Sequence, residues 1–391
     1  MTDNEPETVT VIGAGTMGHG IATVAGIAGY RVTLQDVDED ALAEGYESIE
    51  WSLGKLEEKG LVDSADAVLE GIHTETEVES AVKNADVVIE AVPESMDLKQ
   101  TIFADVDDAA PDDALLATNT SSLSVSEIAE ATDRPGSVLG LHFFNPPVKM
   151  DLVEVIHGDR TTAKAVERGT SFVESLDKEP IEVRKDVFGF VVNDILHAFT
   201  DEPAWMVSRG KTTIREADAA LSELRGYPMG PFELSDLAGI DVSHDVRKAG
   251  DIAVPPVMAK RVEAGEYGRK SGVGYYDYET GDGVDYQTTD GTGFDALHVE
   301  ACMINKAAEL LEQDVTTVGD IDTGMQLGTG FPVGVCERAD TVGLDIILHK
   351  LSSLYDEYGE SRYEPSSYLV DLVENGKTGV ESGAGFYEYD E

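Results

Sequence analysis

The residues predict an α/β chain: a doubly wound parallel-sheet domain first, then two homologous all-helical domains. Three observations carry that prediction. A short apolar strand, Val9-Thr10-Val11-Ile12, runs straight into a glycine-rich turn and then a helix. Strand-like and helix-like segments alternate to about residue 185, the rhythm of a parallel sheet with helical crossovers. From about residue 187 the pattern turns helical, and much of it recurs further on. The partition expected is 1–186 for the sheet domain and 187–278 for the first helical domain, then a 279–294 linker and a second helical copy over 295–391.

The turn reads Gly13-Ala14-Gly15-Thr16-Met17-Gly18, the next strand is Arg31-Val32-Thr33-Leu34-Gln35, and Asp36 follows 21 residues after Gly15. This is GxGxxG in its full strand–turn–helix–strand context, the mark of a Rossmann-type dinucleotide site. Gly13 permits the tight turn. Gly15 lets backbone approach a pyrophosphate lying on the helix N-terminus, where Thr16 and Met17 open the helix. Gly18 lets helix and strand pack closely. Asp36 is expected to accept hydrogen bonds from ribose hydroxyls and to disfavour a 2′-phosphate, which selects NAD over NADP. A glycine-rich turn without a ligand is the alternative. The strand before the motif and the acid after it weigh against that.

Helices are expected over 40–59 and 65–71, a buried strand over 85–92 and a helix over 97–109. A strand over 114–118, a short helix over 126–131 and a strand over 138–144 follow. Ligands of such sheets lie off the carboxyl ends of the strands. That rule singles out Glu94, Asn119, Ser121 and His142. Twelve residues after His142, Glu154 lies within Leu152-Val153-Glu154-Val155-Ile156, a strand-like run where a carboxylate needs a partner. A histidine backed by a carboxylate makes a general-base pair. From pattern alone, His142 also reads as a core histidine and Glu154 as a solvated strand position.

Seven stretches, in order, make the chain similar to the 3-hydroxyacyl-CoA dehydrogenase family. They are Gly13 to Gly18, Val88-Ile89-Glu90-Ala91-Val92-Pro93-Glu94, Asn119-Thr120-Ser121-Ser122-Leu123, Leu141-His142-Phe143-Phe144-Asn145-Pro146, Leu152-Val153-Glu154-Val155, Phe188-Gly189-Phe190-Val191-Val192-Asn193 and Gly226-Tyr227-Pro228-Met229-Gly230-Pro231. The resemblance implies NAD as cofactor and a (3S)-3-hydroxyacyl-CoA or its 3-oxoacyl-CoA product as ligand. It implies that His142 is the general base and Glu154 its orienting partner. It places Ser121 and Asn193 on the substrate and Asn145 on the nicotinamide side. Glu94, Lys99 and Lys270 match cofactor contacts, although Lys99 also reads as a solvated helix face and Lys270 as a solvated turn residue. One departure stands out: Asp194 follows Asn193 where many family members carry arginine.

In the helical half, expected helices span 188–209, 213–225, 232–238, 242–248 and 255–264. The stretch around Ile321-Asp322 to Phe331-Pro332-Val333-Gly334 echoes that around Ala217-Asp218 to Tyr227-Pro228-Met229-Gly230 at an offset of 104. Gly383-Ala384-Gly385-Phe386-Tyr387 echoes Gly272-Val273-Gly274-Tyr275-Tyr276 at an offset of 111. The second copy carries Leu297 where Asn193 stands in the first, and Glu381 where Lys270 stands. It is therefore expected to be non-catalytic and to mimic a dimer partner within one chain, leaving a monomer or a homodimer.

Composition narrows the rest. The sequence has 77 acidic against 28 basic residues, a formal net charge of −49 over 391 residues. That excludes a basic nucleic-acid footprint. The acids are interleaved with apolar residues throughout, which reads as a folded protein from a high-salt cytoplasm where self-repulsion is screened. No apolar run is long enough to suggest a membrane span, and the acidic N-terminus does not resemble a secretory signal, so the expected compartment is the cytoplasm. Two cysteines, Cys302 and Cys336, without zinc-type spacing, imply free thiols and no metal. Two rival readings remain at this level: a dehydrogenase of a free hydroxy acid on the same fold, and a non-catalytic NAD-binding structural protein.

Overall fold

The computed structural model describes residues 7–280, 284 and 286–389. The chain forms two compact units, one ending at Phe190 and the next beginning at Val191. Of the expected linker, residues 281–283 and 285 lie outside the described residues.

The first unit begins with β1 (Thr8–Ile12), α1 (Thr16–Ile27), β2 (Arg31–Gln35), α2 (Glu39–Glu58), α3 (Ala65–Leu69), β3 (Ile72–Glu75) and α4 (Val78–Val82). It continues with β4 (Val87–Glu90), α5 (Met96–Ala109), β5 (Leu115–Thr118), α6 (Val125–Ala129) and β6 (Val138–Phe143). It closes with β7 (Leu152–His157), α7 (Ala163–Ser175) and β8 (Glu179–Val183). Sheet order is β3-β2-β1-β4-β5-β6-β7-β8. Strand order reverses between β1 and β4, which opens the crevice of a doubly wound sheet at their carboxyl ends. The pairs from β3 to β6 are parallel, as expected, whereas β7 runs antiparallel to β6. The antiparallel pair sets His142 directly opposite Glu154.

Local chemistry explains the elements. β4 and β5 are buried on both faces, and their sequences, Val-Val-Ile-Glu and Leu-Leu-Ala-Thr, are near-continuous apolar runs. α2 starts where the Asp38 carboxylate accepts the amides of Asp40 and Ala41, and it buries Leu42, Ile49 and Leu53 along one stripe. The sequence reading missed β3, α4, α7 and β8. β3 is an edge strand, Ile-His-Thr-Glu, with a single large apolar residue. β8 is the opposite edge and contains Pro180, a residue an edge strand tolerates.

The second unit carries α8 (Val192–Ser208), α9 (Ile214–Ala219) with a π-helical turn at Ala220–Leu224, α10 (Pro231–Ala238), α11 (Ile240–Ala249) and α12 (Pro256–Ala264). The second copy follows as α13 (Ala296–Glu312), α14 (Val318–Thr329), α15 (Val335–Val342), α16 (Leu344–Tyr358) and α17 (Ser367–Glu374). The helix expected from residue 188 starts only at Val192. Gly189 and Phe190 sit at φ 77° and 54°, left-handed backbone that a right-handed helix excludes.

The repeat extends to individual hydrogen bonds. Asp218 accepts the amides of Phe232 and Glu233 and the Tyr276 hydroxyl. Asp322, 104 residues on, accepts the amides of Cys336 and Glu337 and the Tyr387 hydroxyl. Asp236 and Asp340 repeat the scheme on Tyr275, Tyr276 and Tyr278 and on Phe386, Tyr387 and Tyr389. The two copies also meet reciprocally. A Cβ on Gly226 would lie 3.8 Å from Pro332, and one on Gly330 would lie 3.2 Å from Pro228, with both pairs at the 104 offset. Tyr227 and its counterpart Phe331 pack edge to face at 4.5 Å, and Phe199 packs at an angle against both. Contact of i with j matched by j with i is the signature of a two-fold interface, here written within one chain.

Candidate functional site

The glycine turn is shaped for a ligand as well as for the fold. Gly13 has φ +99°, and a Cβ on it would lie 2.7 Å from the Ala91 carbonyl. A Cβ on Gly18 would come 1.7 Å from the Gly13 carbonyl oxygen, so helix and strand demand glycine there. Gly15 differs: no described atom lies within 4 Å of a Cβ placed on it. The fold does not need that glycine, and the space beside it lies at the N-terminus of α1, which no side chain caps among the described residues. Exposed amides at a helix N-terminus with room for a phosphate are what a dinucleotide pyrophosphate requires. Thr16 is exposed and Met17 half-buried on the first turn. Asp36 is pinned at the end of β2: its carboxylate accepts the Ala14 amide at 2.9 Å and the Asp38 amide at 3.1 Å.

At the ends of β4 and β5 a charged network joins two loops. Glu90 and Lys99 are each 1% exposed. Glu90 accepts from Lys99 Nζ at 2.7 Å, the Val92 amide at 2.7 Å and the Thr118 hydroxyl at 2.7 Å. Lys99 also lies 3.3 Å from Glu94 Oε2. Glu94 Oε1 in turn accepts from the Thr120 hydroxyl and the amides of Ser121 and Ser122. Burial alone would raise the Glu94 carboxyl. The Lys99 charge and the Thr120 and Ser121 hydrogen bonds outweigh it and hold the group below the usual carboxylate range. Lys99 is therefore not a solvated helix residue. Its ammonium lies on Glu90, Glu94 and the Val92 carbonyl, and it fixes the loop that carries Glu94 and Ser121.

The centre of the site is the β6–β7 pair. His142 Nδ1 lies 2.7 Å from Glu154 Oε2, His142 is 6% exposed and Glu154 is fully buried. The imidazole packs against Phe144 at 4.6 Å and Phe190 at 5.9 Å between ring centroids. With Nδ1 held by the carboxylate, Nε2 is the nitrogen left for proton transfer. Asn119, at the end of β5, accepts the Phe143 amide at 2.9 Å and so braces the strand that bears His142. Ser121 is half-buried, and Asn145 is exposed on the loop after β6.

A groove of about 580 Å³, not anticipated from sequence, opens beside these loops. Thr16 and His19 of α1, Ser48 and Trp51 of α2, and Asn145 and Lys149 line it. One signal for it was available. Trp51 lies off the buried Leu42, Ile49 and Leu53 stripe of α2 and is 69% exposed.

The second unit places the remaining candidates. Asn193 lies in the first turn of α8. Lys270 lies in the turn Arg269–Ser271 with its ammonium 2.6 Å from the Asp241 carboxylate. Leu297 and Glu381 occupy the matching places of the second copy, in the first turn of α13 and in the turn Val380–Ser382. Cys302 and Cys336 are free and buried. Glu202, His298 and Cys302 bring ligand-type atoms within 4.8 Å of one another. Glu202 also accepts from the Tyr363 hydroxyl and pairs with Arg362.

The NAD-binding domain of 3-hydroxyacyl-CoA dehydrogenase matches residues 8–187, and the C-terminal domain of the same family matches 189–278 and again 293–389. The chain belongs to the 3-hydroxyacyl-CoA dehydrogenase family. It is an NAD-binding oxidoreductase. Among curated proteins, it is 38% identical over 286 residues to the mitochondrial hydroxyacyl-coenzyme A dehydrogenase of Sus scrofa, covering 69% of this chain and 91% of that one. It is 33% identical over 404 residues to the fatty acid oxidation complex subunit alpha of Idiomarina loihiensis, covering 96% of this chain and 56% of that subunit. Among solved structures, 3-hydroxybutyryl-CoA dehydrogenase from Escherichia coli K12 aligns with a TM-score of 0.87 at 29% identity, covering 95% of this chain and all of that one. Some relatives thus match nearly the whole of this chain and others about 70% of it.

Proposed function

We propose that this dehydrogenase interconverts (3S)-3-hydroxyacyl-CoA and 3-oxoacyl-CoA. The observation that carries the reading is the buried His142–Glu154 pair at 2.7 Å, set on the adjacent strands β6 and β7 of the domain whose glycine turn fits a dinucleotide. NAD+, when bound, supplies the acceptor for the hydride that leaves C3. His142 Nε2 takes the proton of the 3-hydroxyl in the same oxidation and returns it in the reduction. Glu154 keeps the Nδ1–H tautomer and stabilises the imidazolium that forms. Ser121 and Asn193 hold the hydroxyl and thioester oxygens, and alignment of these groups supplies most of the acceleration. Gly13, Gly15, Thr16, Met17, Gly18 and Asp36 hold the adenosine and pyrophosphate. Asn145 serves the nicotinamide side, Glu94 and Lys270 the cofactor, and Lys99 acts through Glu94.

The groove beside Asn145 suits the CoA arm. It offers an indole face at Trp51 for a base and an ammonium at Lys149 for a phosphate, with the carboxylates of Glu44 and Glu47 also in its lining. Two further readings belong here. The second helical copy takes the place of a dimer partner, supported by the reciprocal Gly226–Pro332 and Gly330–Pro228 contacts. The net charge of −49 suits a high-salt cytoplasm. The discriminating assay for substrate class sets 3-oxoacyl-CoA thioesters of graded length against free 3-oxo acids, with NADH and NADPH. Turnover confined to the thioesters with NADH supports the proposal. Turnover of the free acids alone overturns it in favour of a hydroxy-acid dehydrogenase.

A further inference from the structure

The second helical copy carries Leu297 and Glu381 in place of Asn193 and Lys270, yet it grips the helix that carries Asn193. Two charged positions of α8 and one at its C-cap, Arg209, are tied to the other copy. Asp194 Oδ1 lies 3.7 Å from Lys306 Nζ of α13. Glu202 meets His298 at 2.8 Å, Arg362 at 3.2 Å and the Tyr363 hydroxyl at 2.6 Å. Arg209 pairs with Glu360 at 2.6 Å. Steps of eight and seven residues are close to two helical turns each, so the three positions form one stripe along α8. Asn193 precedes Asp194 and points about 100° away around the same first turn. Holding Asp194 therefore fixes the rotation of the turn that presents Asn193.

We propose that Lys306 is a positioning residue: through its pair with Asp194, the second copy sets the first turn of α8 and the direction of the Asn193 amide toward the acyl thioester. The inference rests on the assignment of Asn193 to the substrate. It gives the silent copy a role in the working site beyond replacing a dimer partner.

The electrostatics agree with the geometry. Around this turn stand Lys306 and Glu309 of α13, His197 of α8 itself and Arg247 of α11, which is bound to Asp201. Burial raises the Asp194 carboxyl to about 6; Lys306 pulls it down and Glu309 pushes it up. Asp194 is ionised above that value only with Lys306 as its counter-charge. His197 is lowered to about 3 by burial and by the Arg247 and Lys306 charges, and so stays neutral through the working range.

The test compares Lys306→Met, Lys306→Arg and the Asp194→Asn/Lys306→Met double variant of the full chain, with acetoacetyl-CoA and NADH. Lys306→Met is expected to raise KM for acetoacetyl-CoA about tenfold, as a small misplacement of a positioning group does. Its NADH affinity should stay unchanged, and the deficit relative to wild type should deepen from pH 5 to pH 8, the range over which the wild-type Asp194 ionises against Lys306. Hydrogen exchange at the Ile195 and Leu196 amides, which close the first turn, should quicken. Lys306→Arg should restore KM, and the double variant should recover part of it. A folded Lys306→Met protein with wild-type KM and wild-type exchange overturns the inference, as does a fall in melting temperature with KM unmoved. Wild-type protein inactive on acetoacetyl-CoA strikes instead at the substrate reading beneath it.

Discussion

Glu154 is a carboxylate with no solvent exposure, and its partner at 2.7 Å is the His142 ring. A buried charge of that kind is costly unless it is paired. In the proposed mechanism the pairing also orients a base, so removing either member should be felt in the chemical step before it is felt in cofactor binding. Glu154→Gln preserves shape and one acceptor but no longer favours the imidazolium. We expect kcat to fall about a hundredfold to a thousandfold with NADH affinity unchanged, within the range for losing general-base assistance. Stopped-flow reduction of acetoacetyl-CoA with separate NADH titration measures both quantities. Equal losses in kcat and in NADH affinity contradict the assignment.

At the scale of elements, the loops after β4 and β5 act as one piece because Glu90, Lys99 and Glu94 link them. Lys99→Met leaves the Glu90 carboxylate buried without its counter-charge and should cost about 3–5 kcal/mol, the range for breaking a buried pair, readable by urea unfolding. An unchanged unfolding midpoint contradicts the network. Glu94 gives the pH dependence. Its folded pKa is depressed, so its contribution is complete above the unfolded carboxylate range and is lost as pH falls through the folded value. Folding stability should therefore fall on the acid side, and Glu94→Gln should show that loss already at neutral pH. Urea unfolding across pH checks it, and a Glu94→Gln difference that does not shrink as pH falls contradicts it. The sequence made the strands here legible because their ends carried polar residues after apolar runs. The roles of Glu90 and Lys99 were not legible, because a lysine on a helix looks solvated until the carboxylate nine residues earlier is seen folding onto it. The weak edge strands β3 and β8 escaped for the opposite reason: little apolar pattern, and a proline in β8.

At the scale of the molecule, two features set the behaviour of the whole chain. The duplicated helical domain was legible from Gly-Tyr-Pro and Gly-Phe-Pro at the 104 offset, and the structure adds that the copies pack reciprocally. With its two-fold contacts used internally, the chain should sediment as a monomer of 41.9 kDa. A stable dimer that forms through α8 of two chains contradicts this. The helix expected at 188 was displaced to Val192 by two left-handed residues, which single-sequence periodicity does not register. The net charge of −49 belongs to the same scale. Raising KCl from millimolar to molar should raise the melting temperature by screening repulsion among carboxylates. A melting temperature indifferent to salt contradicts the high-salt reading.

The most direct test is the rate of NADH oxidation with acetoacetyl-CoA, measured for the wild-type chain and for His142→Gln. The predicted result is rapid turnover by the wild type and a loss of about a thousandfold or more in kcat for the variant, with NADH still bound. Wild-type turnover that survives in His142→Gln contradicts the account.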